Sequence, residues 1–306
     1  MKPSDTLSSD SLSSEFPVNE EWKTWNRQGF IPGEDESEEE FKERVLFGLN
    51  LMEHLKESVA ELPFEADDLA SKSLLQPALL QDTALFGIAP EWIPVFMNNH
   101  QLTPWQGGCA WIFQLNEQTP TSAFLQLRSQ FKNRTDYLGI YNRNELLAHE
   151  LAHAGRMMYR EPRFEEILAY QTSPSKLRRF LGPIFQSSKE SLLFILFLGL
   201  LILNHIISIT LEQAPIYLWS LGLELCLVGL VAFAFIRLLY RHRQYDRCFQ
   251  KLEDIYQDKE IARHLSYRLK DTEIQLFANS SPAAIRTYRQ SDKTFRWKFL
   301  NYIYPL

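Results

Sequence analysis

The run His149-Glu150-Leu151-Ala152-His153 holds the residues of this 306-residue chain best suited to chemistry. In an α-helix, residues four apart share a face, so the two imidazoles can offer nitrogens to one point. Two neutral imidazoles suit Zn²⁺, which takes nitrogen and carboxylate ligands in tetrahedral geometry. Glu150, beside the first histidine, can take a proton from water activated at that point. A further ligand must come from another element. Twelve residues after His153 the chain reads Glu165-Glu166-Ile167-Leu168-Ala169, which offers a carboxylate on a following helix. The pattern predicts a catalytic zinc site, against the plainer alternative of an amphipathic helix with two surface histidines.

A helix is expected where this run falls. Asn142 and Asn144 are N-cap types, and Leu146, Leu147 and Leu151 give the helix an apolar side. Ala148, Ala152 and Ala154 leave room beside the imidazoles, and Pro162 ends a helix predicted to reach about Tyr159. Glu145, one turn before His149, reads as a surface or supporting carboxylate. Tyr170, one turn beyond Glu166, and Arg156, three residues after His153, are candidates to donate to an oxyanion or to support the ligands from behind.

H-E-x-x-H followed by a glutamate in an E-x-x-A context resembles the gluzincin-type zinc metallopeptidases. The resemblance spans about residues 105–172. It implies His149, His153 and Glu166 as metal ligands and Glu150 as general base. Glu166 is preferred to Glu165 because Glu166-Ile167-Leu168-Ala169 gives E-x-x-A, with Ile167 where that family often has glycine. The implied fold is α+β, a zincin-like catalytic domain with a small mixed sheet packed on the metal-binding helix. A fainter similarity lies in the segment from Leu276 to Arg286, which looks like the H-P…R segment of membrane-embedded zinc peptidases. Here Ser281 takes the histidine's place before Pro282.

Two uncharged or nearly uncharged stretches set the location. Residues 191–211 contain no charged side chain and 216–236 contain only Glu224, each long enough to cross a hydrocarbon core of ~30 Å. Lys176, Arg178, Arg179 and Lys189 precede the first stretch, and Arg237, Arg241, Arg243 and Arg247 follow the second. The connector at 212–215 has neither Lys nor Arg. By the positive-inside rule this is a transmembrane hairpin with both chain termini in the cytoplasm. His205 and Glu224 fall at similar depth, and ionisable groups there are costly unless paired, so a contact between them is expected.

The remaining chain divides accordingly. Residues 1–37 read as a disordered, acidic segment, 38–175 as the metallopeptidase domain, 191–236 as the hairpin and 237–306 as a basic, helical C-terminal segment. Residues 1–60 carry 6 Lys/Arg against 14 Asp/Glu, whereas 237–306 carry 14 against 8. The basic, aromatic C-terminus fits an interfacial or domain-packing role next to a membrane, not nucleic-acid binding. Cys109, Cys226 and Cys248 have neither disulfide nor metal spacing.

An apolar stripe from Phe41 to Leu62 predicts one helix over 38–62, followed by short helices and turns over 64–100. Runs at 109–115 and 121–131 predict a hairpin, with a short third strand over 137–141. The alternating run from Phe124 to Gln130 is expected as an edge strand able to pair with an extended peptide. These elements point to a membrane-tethered zinc peptidase whose partners are a lipid bilayer and a peptide or protein substrate. The rival is a membrane-anchored interaction protein with a structural or degenerate zinc site. The sequence carries no signal for oligomeric state.

Overall fold

The structure is a computed structural model describing residues 20–57, 64–159, 161–185, 188–211 and 214–306. Its first helix, α1 (Glu20–Arg27), buries Trp22 against the rings of Phe295, Phe299 and Tyr302. Phe30 and Ile31 are also buried, so 20–37 is not the solvated segment expected there. Three apolar anchors outweigh the local acidity. Residues 1–19 lie outside the described residues. Ser37 and Glu40 form a reciprocal capping box that starts α2 (Glu38–Leu49). The helix expected to run unbroken to Leu62 is interrupted at Asn50, which caps α2 before α3 (Leu51–Glu57) begins. Residues 58–62 lie outside the described residues.

The stretch expected as short helices and turns holds a fifteen-residue helix, α4 (Lys72–Phe86), with Pro77 inside it. Gly87, at φ 67°, closes that helix in the left-handed conformation that favours glycine. Three strands then form one sheet: β1 (Val95–Met97), β2 (Gly108–Phe113) and β3 (Ser122–Leu127). Their order is β1-β3-β2, with β1 parallel and β2 antiparallel to β3. The expected hairpin is therefore present, but its edge is misassigned. β1 occupies the other side of β3, which is central and buried along its whole length; the edges are β1, bridged on its outer side through Leu69–Phe96, and β2. Instead of a third strand over 137–141, β4 (Asp136–Tyr137) and β5 (Tyr141–Asn142) make a separate two-stranded turn.

The metal-type helix follows as α5 (Arg143–Gly155). The Asn142 side chain accepts from the N–H groups of Asn144 and Glu145, which fixes the start. Leu147, Ala148, Leu151 and Ala154 pack into a cluster with Leu125 and Leu127 of the sheet, so β3 sets the helix's rotation. Helical structure stops at Gly155, short of the expected Tyr159. The hydroxyl of Tyr267 donates to the Ala152 carbonyl and crowds the position where a Gly155 Cβ would stand. Two short helices follow, α6 (Glu165–Ala169) and α7 (Lys176–Leu181).

α8 (Ser188–Leu211) and α9 (Ala214–Tyr256) are long and apolar enough to cross a membrane, and their apolar stretches are almost wholly exposed. Residues 212 and 213 lie outside the described residues. Arg237 closes the base of the pair with two hydrogen bonds of 2.6 Å to the Glu190 carboxylate. The expected contact between the helices is present: His205 Nε2 lies 3.2 Å from Glu224 Oε1.

At ~65 Å for 43 residues, α9 is far longer than a span. Its distal half buries Cys248 and Leu252 against α10 (Lys259–Tyr267), α11 (Asp271–Asn279), α12 (Pro282–Ser291) and α13 (Phe295–Ile303). One hydrophobic cluster joins Trp22, Phe41, Phe86, Leu168, Leu252, Phe277 and Trp297. Residues before and after the hairpin thus share a core, and the architecture is mainly helical α+β.

Candidate metal centre

His149 and His153 project from the same face of α5, with their Nε2 atoms 3.1 Å apart. Glu166 on α6 faces both: one carboxylate oxygen is 3.6 Å from His149 Nε2 and the other 3.6 Å from His153 Nε2. Tetrahedral bonds of about 2.0–2.2 Å place neighbouring donors about 3.4 Å apart; with one donor atom from each residue the trio lies within 4.8 Å, a looser group that could close on one cation. Two nitrogens and a carboxylate also suit zinc by donor chemistry.

The far side of each imidazole aims its lone pair. On His149 the Ala169 backbone opposes the lowering of its pKa, the effect of a carbonyl facing a ring N–H. His153 Nδ1 lies 3.1 Å from Glu165 Oε1, which through Nδ1–H leaves Nε2 free at the second ring. Two Nε2 lone pairs facing each other at this distance need a positive charge between them. Without a cation, a proton on His153 supplies it. Burial lowers the His153 pKa, but hydrogen bonding to Glu165 and the charges of Glu166 and Glu165 outweigh burial and push it up to about 9. His149 is displaced the other way, by burial and by the charge on His153.

Glu165 therefore orients His153, while its neighbour Glu166 faces both Nε2 atoms. Burial raises the Glu165 pKa, yet Arg156 and His153 together hold it below the ordinary carboxylate value. Arg156 Nε donates to Glu165 Oε2 at 2.7 Å. The Arg156 guanidinium also donates to the carbonyls of Tyr267 and Leu269, the latter at 2.9 Å. Its side chain is fully buried behind the histidines, so it supports the His153–Glu165 contact and does not line the cleft. Asp271 completes this backing by accepting from the Arg163 N–H at 2.7 Å and capping the start of α6 with the Phe164 N–H.

No family model matches this chain, and no curated protein or solved structure matches it.

On its open side, a cleft of about 550 Å³ is bordered by His149, Glu150, Glu166, Tyr170, Gly108 and Tyr141. Burial pushes the Glu150 carboxyl up to about 7, with His153 opposing and Glu166 adding to the rise. The Ala110 backbone of β2 also opposes the rise. Tyr170 lies edge-on to His149, ring centroids 4.6 Å apart. Burial and the nearby Glu166 raise its phenol to about 12, so it remains a donor at neutral pH.

Several of these contributors carry no motif. Asp271, Tyr267 and Leu269 act from more than 100 residues away in sequence, and Ala169 and Ala110 act through their backbones. The only local signal was the Glu165-Glu166 pair itself, in which one carboxylate can face forward and the other back. Ser281 caps α12 by accepting from the Ala284 N–H, and neither it nor the exposed Arg286 lines the cleft.

Proposed function

We propose that this protein is a zincin-like, membrane-tethered zinc peptidase that hydrolyses peptide bonds at the cytoplasmic face of a membrane. The observation that carries this reading is the division of labour between adjacent glutamates. Glu166 faces both Nε2 atoms while Glu165 is held behind them by Arg156. His149, His153 and Glu166 would hold Zn²⁺, which when bound would supply acidification of water and polarisation of a carbonyl, and Glu165 and the Ala169 backbone would keep the imidazoles aimed.

Glu150 acts as general base, since a carboxyl poised near neutrality can accept the water proton and return it to the leaving amine. Tyr170 offers a neutral hydroxyl at the cleft wall for the oxyanion. Ala110 turns its backbone toward Glu150 and away from β3. By the two-residue period of a strand, the outward groups of Gly108 and Ile112 face the same way and can pair with an extended peptide. Substrate therefore lies along β2, not along the 124–130 run, whose strand portion is buried. In this reading the hairpin of α8 and α9 spans the bilayer, and the positive-inside rule applied to the basic residues at its outer ends supports a cytoplasmic cleft.

Glu150→Gln tests the reaction directly. It should keep zinc yet reduce peptide hydrolysis by about 10²–10⁴-fold, because it removes the base and no ligand. Cleavage by this variant at the wild-type rate would reject the assignment.

A further inference from the structure

A second cavity, of about 530 Å³, opens between α7 and α9 and is separate from the metal cleft in its lining. Lys176 and Arg179 contribute from α7 and Arg263 from α10, with His242 and Asp246 on α9. Among the described residues none of these three cations forms an ion pair. With one carboxylate against three fixed positive charges, the lining is net cationic even when His242 is neutral. Tyr245 and Phe249 give the cavity an apolar floor.

Its position says what the charge is for. Phe180, at the rim, stacks on His242 with centroids 5.0 Å apart and touches Phe235, near the end of the apolar stretch of α9, at 6.3 Å. His242 lies six residues beyond Ile236, about 9 Å along the helix. A bilayer's polar region adds about 5–7 Å per side to its hydrocarbon core. The Phe180–Phe235 contact therefore lies at the inner side of the headgroup layer and His242 about 2–4 Å beyond its outer edge, so the cavity is apolar toward the lipid tails and cationic toward the outer face of the phosphate layer.

We propose that this cavity binds the phosphate headgroup of an anionic phospholipid. Lys176, Arg179 and Arg263 take the phosphate oxygens, and the Phe180–Phe235 rim receives the start of the acyl chains. The inference rests on α8 and α9 entering a bilayer and is independent of the hydrolytic chemistry.

Alkaline carbonate extraction of membranes containing the full chain checks the first condition, and release of the chain would overturn both the span reading and this proposal. The purified full chain in detergent is then titrated with dioleoylphosphatidylglycerol, dioleoylphosphatidylcholine or inorganic phosphate, with bound lipid read by native mass spectrometry. Phosphatidylglycerol should bind saturably and much more tightly than the other two. Each cation near an anionic lipid contributes about 1 kcal/mol, or about fivefold, so Arg179→Gln/Arg263→Gln should weaken binding about 25-fold and Lys176→Gln alone about fivefold. Arg243→Gln/Arg247→Gln removes the same charge from exposed positions outside the cavity and should change affinity less than about twofold. Equal losses in the two double variants, retention by phosphatidylcholine as tight as by phosphatidylglycerol, or inorganic phosphate binding as tightly as the lipid would each overturn the proposal. Lys176→Gln, on the exposed face of α7, keeps the test decisive if the double variant fails to fold.

Discussion

Two histidine–glutamate contacts of nearly equal length lie in different surroundings. His153 meets Glu165 at 3.1 Å and His205 meets Glu224 at 3.2 Å. Glu165 is held from behind by buried Arg156, which is anchored on carbonyls of the turn between α10 and α11. On the other side of the His153 ring stand a second imidazole, a second carboxylate and an open cleft. The side chains of His205 and Glu224 are instead about half exposed, between two apolar helices. Among the described residues, only His149, His153 and Glu166 converge as metal donors. The contact distance does not distinguish these sites. What fixes the carboxylate, and what the imidazole's other nitrogen faces, does.

The comparison can be sharpened first at the backing carboxylate. Glu165→Gln should lower zinc affinity about 10–100-fold, the usual effect of removing a partner that orients a ligating histidine. Competition with a chelating indicator measures this on the folded fraction, and wild-type affinity would mean that the Glu165 charge does not act on the ligand.

A smaller effect follows from pH. Without metal, His153 keeps a proton up to about pH 9, and coordination requires that proton to leave. Zinc affinity should therefore rise with pH below that value, by about tenfold from pH 7 to pH 8, as the competing proton is lost. Isothermal titration in two buffers of different ionisation enthalpy should register the released proton. An affinity flat across this interval would remove His153 from the ligand set.

The smallest effect belongs to the hairpin. His205→Ala should leave zinc affinity unchanged and cost about 0.6–2 kcal/mol of helix association. Loss of metal binding in this variant would erase the distinction between the two contacts.

The sequence disclosed the parts of the site that are local. Helical periodicity brought His149 and His153 to one face, Asn142 read as a cap, and the uncharged runs located the long apolar helices and the His205–Glu224 contact. The parts set by distant contacts were hidden. β1, three residues long, has no alternation to read, and its pairing with β3 made that strand central, with β2 at an edge. The order of 20–37 depends on aromatic partners near residue 300, and the end of α5 depends on Tyr267. The 237–306 segment read as basic, helical and suited to an interface or to packing, but its net charge concealed the buried pairs that hold it. Arg296 donates to Glu273 at 2.7 and 2.8 Å within the core, and Trp297 shares that carboxylate.

The central claim is that one metal ion sits between α5 and α6, and elemental analysis of the purified full chain tests it most directly. Wild-type protein should carry about one equivalent of zinc after dialysis against metal-free buffer, with ~10–16 kcal/mol typical of dedicated protein zinc sites. His149→Ala should carry almost none while remaining folded by circular dichroism. Zinc absent from the wild type, or present equally in both proteins, would contradict the account.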